Sequence, residues 1–200
     1  MLEEFLEDAL DGDNEIKEVT IQNEEICDAD CTGISFDHVR FLGCTFSECT
    51  FSRTSFYDCN MEGCDLSNCN FSDSYWKDCL LEKSKLAGAD FSNSVLKNTV
   101  LDSCILPYVN FTDAKLETIS LRHCSCKSAN FLQTALKKPN FSDTDFSGTE
   151  FFRTPLAGID FTSCTISGIL VSDRFSELKG MKVSPFQAME LAQLLGIKIM

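Results

Sequence analysis

From Ile21 to Val171 an apolar or cysteine residue returns at every fifth position without an insertion, and the residues between are rich in Ser, Asp, Asn, Lys and Glu. The column runs through Phe36, Phe41, Phe46, Phe51, Phe56, Met61, Leu66, Phe71 and Trp76, and continues to Leu156, Phe161 and Ile166. A helix repeats its apolar face every three to four residues and a flat strand every two, so neither places a five-spaced set on one side. The chain must turn once per repeat. Two residues before each bulky position stands, in nearly every repeat, a small one: Cys44, Cys49, Thr54, Cys59, Cys64, Cys69, Ser74, Cys79, Ser84 and Ala89 among them. One bulky and one small inward position in five predict a narrow tube. Each pentad forms one side of a square coil, and its other three positions face water.

Taken every twenty residues, the bulky column separates into four faces. One of them reads Cys31, Phe51, Phe71, Phe91, Phe111, Phe131, Phe151 and Val171, which predicts an internal ladder of stacked phenylalanines. Pro107, Pro139 and Pro155 lack an N–H and belong at turns or coil corners, not at paired strand positions. Internal repetition of this kind decides the architecture before local propensity does.

The two ends break the period. Leu2, Phe5, Leu6, Ala9 and Leu10 share one face at helical spacing, so residues 2–10 read as a short amphipathic helix over the first coil. Asp11, Gly12, Asp13 and Asn14 end it, and the coil starts at Ile16 or Ile21. At the other end, Ser184 and Pro185 are a helix-start pair. The helix they open carries Phe186, Met189, Leu191, Ala192, Leu194 and Leu195 and stops at Gly196. Ile197, Lys198, Ile199 and Met200 then alternate like a short strand. A helix this apolar leaves surface over after closing the tube. That surplus points to a twofold dimer through Phe186, Met189, Leu191, Leu194, Leu195, Ile197 and Ile199. The chain therefore divides into an acidic cap (1–15), a β-helix (16–173) and a capping and dimerisation segment (174–200).

Charge and chemistry narrow the function. The 200 residues carry a net charge of −14, and the first thirty hold twelve acidic side chains against Lys17 alone. A sequence pI of 4.4 and the lack of a basic run argue against direct nucleic-acid binding. With no apolar run of membrane-spanning length and no signal peptide, the chain reads as soluble and cytoplasmic. Of twelve cysteines, nine fall in the small inward column, Cys31 and Cys126 fall in the bulky one, and Cys27 faces out. They are expected to be free core residues. His38 and His123 fall on outward positions, and no phosphate loop or nucleophile motif is present. No catalytic site, cofactor or metal is expected, and Cys59, Cys64 and Cys69 lack the close pairing of a structural zinc site. The candidate partner surface is the acidic set Asp58, Glu62, Asp65, Asp73 and Asp78.

Stretches such as CDLSNCNFSDS, AGADFSNSVL and PNFSDTDFSGTEF resemble the repeating motif of pentapeptide repeat proteins, over about three quarters of the chain. The resemblance implies an all-β solenoid, a right-handed quadrilateral β-helix of just under eight coils. At ~4.8 Å per coil, this is a rod of roughly 40 Å. The tail MKVSPFQAMELAQLLGIKI resembles the C-terminal segment of the Qnr and MfpA group of gyrase-protecting members. That implies a homodimer mimicking duplex DNA, which binds DNA gyrase or topoisomerase IV, modulates supercoiling and protects against fluoroquinolones. The unbroken period is closer to the loop-free MfpA type. The alternative is a generic interaction scaffold with another protein partner.

Overall fold

The computed structural model describes residues 2–194 and 196–198. The five-residue period becomes a square tube with four walls, each formed by parallel pairing of segments twenty residues apart. The first wall is a seven-stranded sheet of three-residue strands: Glu15–Lys17, Ser35–Asp37, Ser55–Tyr57, Tyr75–Lys77, Val95–Lys97, Lys115–Glu117 and Ala135–Lys137. The second is also seven-stranded, from Thr20–Gln22 to Asn140–Ser142. On the third wall the strands Glu25–Cys27 and Thr45–Ser47 pair, and single parallel bridges continue from Thr45 through Asp65, Lys85, Ile105, Ser125 and Asp145 to Thr165. The fourth wall is bridges throughout, from Asp30 to Leu170.

The strands are three residues long because only their central, bulky residue points inward. Burial reads exposed or intermediate on either side of a buried centre, as in Thr20–Gln22 or Ser55–Tyr57. The predicted phenylalanine ladder is present. Ring centroids lie 5.0 Å apart for Phe51 and Phe71, 4.8 Å for Phe71 and Phe91, 5.2 Å for Phe91 and Phe111, 5.0 Å for Phe111 and Phe131, and 5.2 Å for Phe131 and Phe151. A shorter second ladder joins Phe36, Phe56 and Trp76, with the last two rings 3.9 Å apart. Burying each such side chain contributes about 1.5–3 kcal/mol. Stacking adds about 0.5–1.5 kcal/mol per pair.

Corners are turned by a residue the hydrophobic pattern does not mark. Two positions after the bulky one, nearly every pentad has a positive φ, including Glu18 at 54°, His38 at 54°, Asp58 at 49° and Thr118 at 56°. Gly43, Gly63 and Gly88 occupy the same position without side-chain strain. For the others the left-handed conformation costs roughly 1–2 kcal/mol. A hydrogen bond to the next coil offsets it, as from the N–H of Glu18 to Asp37 O (3.0 Å) or of His38 to Tyr57 O (2.9 Å).

The small column is chosen for more than size. Most of its hydroxyls and thiols donate to the carbonyl of the bulky residue one coil earlier, while Ser74 and Ser94 donate to Phe71 O and Phe91 O of their own coil. Thr54 Oγ1 lies 2.6 Å from Cys31 O, Thr134 Oγ1 lies 2.7 Å from Phe111 O, and Cys64 Sγ lies 3.4 Å from Phe41 O. All cysteines except Cys27 are buried and free. Burial pushes the Cys64 thiol up to about 11 and Cys69 up to about 12, so these groups stay protonated and unreactive.

Both ends are closed by chain outside the period. Helix α1 (Leu2–Asp11) buries Leu2, Leu6 and Ala9 in the core. The first wall stops at Ala135–Lys137, and the next residue in register is Pro155. Where the Ala135 N–H bonds Ala114 O at 2.9 Å, Pro155 has no N–H to offer Thr134 O. Pro107 sits in a turn and Pro139 at a corner. Residues 177–182 then lie along the last coil. Their bonds run from the Leu156 N–H to Glu177 O (3.0 Å), from Gly158 to Gly180 O (2.8 Å) and from Phe161 to Lys182 O (2.9 Å). Ser184 caps helix α2 (Pro185–Leu194). Ile197 and Lys198 are in neither helix nor strand, and Leu195, Ile199 and Met200 lie outside the described residues.

Candidate interaction surfaces

The acidic set selected from the sequence does not form one patch. Asp58 and Asp78 each follow a strand of the first wall, Glu62 lies in a strand of the second, Asp65 bridges on the third, and Asp73 stands on the fourth. The five carboxylates ring the rod over neighbouring coils. Three are already engaged. Glu62 takes Lys83 at 3.5 Å, Asp65 takes Lys85 at 3.4 Å together with the Ser67 hydroxyl, and Asp78 takes Lys77 at 3.7 Å and the Asn98 amide at 3.0 Å. Asp58 and Asp73 make no side-chain hydrogen bond or ion pair among the described residues. A negative belt around the tube, not a face, is what these positions supply.

Basic residues scattered in sequence are instead collected by the register. Lys97 pairs in register with Lys77, Lys115 with Val95, and Lys137 with Glu117, so all four lysines share the first wall, with Lys138 beside them. The sequence contains no basic run, and the fold assembles a basic half-wall. Tyr75 belongs to it, with the Lys97 ammonium 5.6 Å from its ring centroid and the Tyr57 ring 5.6 Å away. On the same wall nearer the N-terminus, Asp37, His38 and Asp58 hold their ligand atoms within 4.8 Å of one another. Asp37 Oδ1 already receives His38 Nδ1 at 2.7 Å, and this hydrogen bond raises the imidazole above its ordinary value.

Helix α2 is built with its polarity reversed. Phe186 is 79% exposed, while Gln187 next to it is only 7% exposed. Gln187 Nε2 donates to Phe161 O at 2.8 Å and Cys164 O at 2.6 Å, two carbonyls of the last coil. Its Oε1 accepts the Ser184 N–H at 2.7 Å, and Ser184 Oγ accepts the Gln187 N–H at 3.3 Å. This is a capping box with an additional tether. The signal lies in Ser184-Pro185-Phe186-Gln187, with glutamine three residues after the cap, and the helix-start pair alone carries only its first half. Glu177, 3% exposed, joins the segment to the rod by accepting the Arg153 N–H at 2.9 Å and the Ser172 hydroxyl at 2.8 Å. Burial raises this carboxyl, but the hydrogen bonds from the backbone N–H groups and Ser172 outweigh it and leave it below its ordinary value.

Of the proposed dimer residues, Phe186, Met189, Leu194 and Ile197 are exposed. Leu191 is half-buried and faces an apolar groove of about 380 Å³ with Phe175, Leu178, Met181, Val183 and Ala188. Leu195 and Ile199 lie outside the described residues.

A tube with four parallel walls, a five-residue period and small hydroxyl or thiol residues at its corners is the architecture of a pentapeptide repeat protein. Residues 29–103 and 75–151 match the family signature described as a pentapeptide repeat region, and the chain belongs to that family. Among solved structures it is similar to trypsin-treated QnrB1, a plasmid-mediated fluoroquinolone resistance protein. The TM-score is 0.60 at 25% identity, covering 93% of this chain and 98% of that one. A pentapeptide repeat protein of the cyanobacterium Cyanothece 51142, Rfr23, shares the fold with a TM-score of 0.51 at 15% identity, over 71% and 97% of the two chains. No curated protein matches by sequence. No helix among the described residues is long and apolar enough to cross a membrane.

Proposed function

We propose that this chain is a cytoplasmic, non-catalytic protein that binds a type II topoisomerase, DNA gyrase or topoisomerase IV. In this reading it modulates supercoiling and protects the enzyme from fluoroquinolones as a DNA mimic. The observation that carries this is likeness to a fluoroquinolone resistance protein along almost the full length of both chains. Supporting it are the belt of carboxylates around the middle coils and the acidity of the N-terminal third, which suit the cationic surface of an enzyme that holds DNA. Residues 1–15 act as a cap, 16–173 as the rod, and 174–200 as a homodimer contact through Phe186, Met189, Leu194 and Ile197. The rod is then doubled in length, with its acidic ends outermost.

The lysines of the first wall favour the second reading, a scaffold for a different protein, because a mimic of duplex DNA has no use for them. The test is capture of purified gyrase and topoisomerase IV on the immobilised chain, with linear duplex DNA as competitor. Capture that DNA displaces supports mimicry. Failure to capture either enzyme refutes the topoisomerase reading.

A further inference from the structure

The first wall is electrically bipolar. Its successive rungs carry Glu15, Lys17 and Glu18; then Asp37 and His38; Tyr57 and Asp58; Tyr75, Lys77 and Asp78; Lys97; Lys115 and Glu117; and finally Lys137 and Lys138. The three rungs before Tyr75 are each net negative, the rung of Tyr75 is neutral, and the three beyond it sum to a positive charge. Pairs within the wall, Lys17 with Glu15, His38 with Asp37, Lys77 with Asp78 and Lys137 with Glu117, neutralise part of it. The charges in no ion pair among the described residues are Glu18 and Asp58 on one half, and Lys97, Lys115 and Lys138 on the other.

Charge that reverses sign about the middle of a flat face is what a twofold, self-complementary surface requires. We propose that the first wall docks against the first wall of a second copy, with the two rods antiparallel and the twofold axis at Tyr75. A rotation about the strand direction exchanges the first rung with the seventh, the second with the sixth and the third with the fifth. Glu18 then meets Lys138, and Asp58 meets Lys97, which also lies over the partner's tyrosine at position 57. The like charges this brings opposite each other are Lys17 with Lys137, Asp37 with Glu117 and, on the axis, Lys77 and Asp78 each with its own copy. All six already hold an ion pair within their own wall, Lys77 and Asp78 with one another. A face of seven rungs is narrow, short of the ~800 Å² per partner of stable complexes, so the contact is weak and salt-sensitive. It is separate from the C-terminal contact and does not rest on the topoisomerase reading.

The test is carbodiimide cross-linking of the full chain, using an equal mixture of unlabelled and ¹⁵N-labelled protein at low salt. Six rungs, roughly 29 Å, separate Glu18 from Lys138 within one chain, too far for a zero-length link. A Glu18–Lys138 peptide of mixed isotope is therefore the expected product. It should be lost in 0.5 M salt and in the E18K/D58K variant, and regained in E18K/D58K/K97E/K138E through its reversed pair. Circular dichroism confirms that each variant is folded. Absence of that peptide at low salt, or its undiminished yield in 0.5 M salt, overturns the antiparallel register.

Discussion

The coiled tube and the C-terminal helix use the same residue types in opposite ways. In the tube every phenylalanine but the outward, half-buried Phe152 is inside, and side-chain amides stay at the surface. In α2, Phe186 is outside and the Gln187 amide is buried against two carbonyls. The difference follows from what each must satisfy. A coil in the middle of the rod gives its outward-pointing backbone groups to the coils above and below, so its interior needs only apolar volume. The last coil has no coil above it. Phe161 O and Cys164 O would be left without partners, and an amide on the capping helix supplies them. Apolar residues on such a helix are free to serve something other than folding.

The largest effect expected of any single change is in the tube. Phe91→Ala removes a ring stacked on both neighbours and should cost about 3–5 kcal/mol in denaturant unfolding. A cost near that of a surface substitution would break the picture of a filled axis. Cys64 sharpens the distinction between the two inward columns. Cys64→Leu overpacks the corner and should cost about 1–3 kcal/mol, whereas Cys64→Ser keeps a donor for Phe41 O and should cost clearly less. Equal stability of the two would contradict the tight corner.

Gln187→Ala strips the end carbonyls of their partners, at about 1–3 kcal/mol for each group left unpaired. The loss should be local, with faster amide exchange over residues 185–194 and little change in the coils. Glu177 gives the same junction a pH dependence. Its folded value lies below its unfolded one, so its contribution is present above the unfolded value and is lost as pH falls through the folded value. Glu177→Gln should flatten the acid limb of a stability–pH curve. The smallest effect on folding, and the largest on mass, is expected for Phe186→Ser, whose side chain is exposed. Light scattering should report a lighter particle with the coils intact, and an unchanged mass would remove the tail from the dimer.

What was legible in the sequence was whatever repeats every five residues. A bulky residue at each pentad leaves no freedom about which way it faces, so the tube, the phenylalanine ladder and the inward cysteines follow from counting. The left-handed corner did not, because Glu18, His38, Asp58 and Thr118 share a backbone conformation and no side-chain chemistry. The surface was harder still. Charges summed over sequence windows average the walls together, and Lys77, Lys97 and Lys137 come onto one wall only once the twenty-residue register is known. For the same reason Asp58, Glu62, Asp65, Asp73 and Asp78, close in sequence, are spread around the rod.

Whether a type II topoisomerase is the partner is tested by a supercoiling assay with purified gyrase, titrating the protein in with and without a fluoroquinolone. Supercoiling is expected to fall as protein is added, or drug-trapped cleaved DNA to be relieved. No change in either, with gyrase and with topoisomerase IV alike, would contradict it and leave a pentapeptide rod with a different partner.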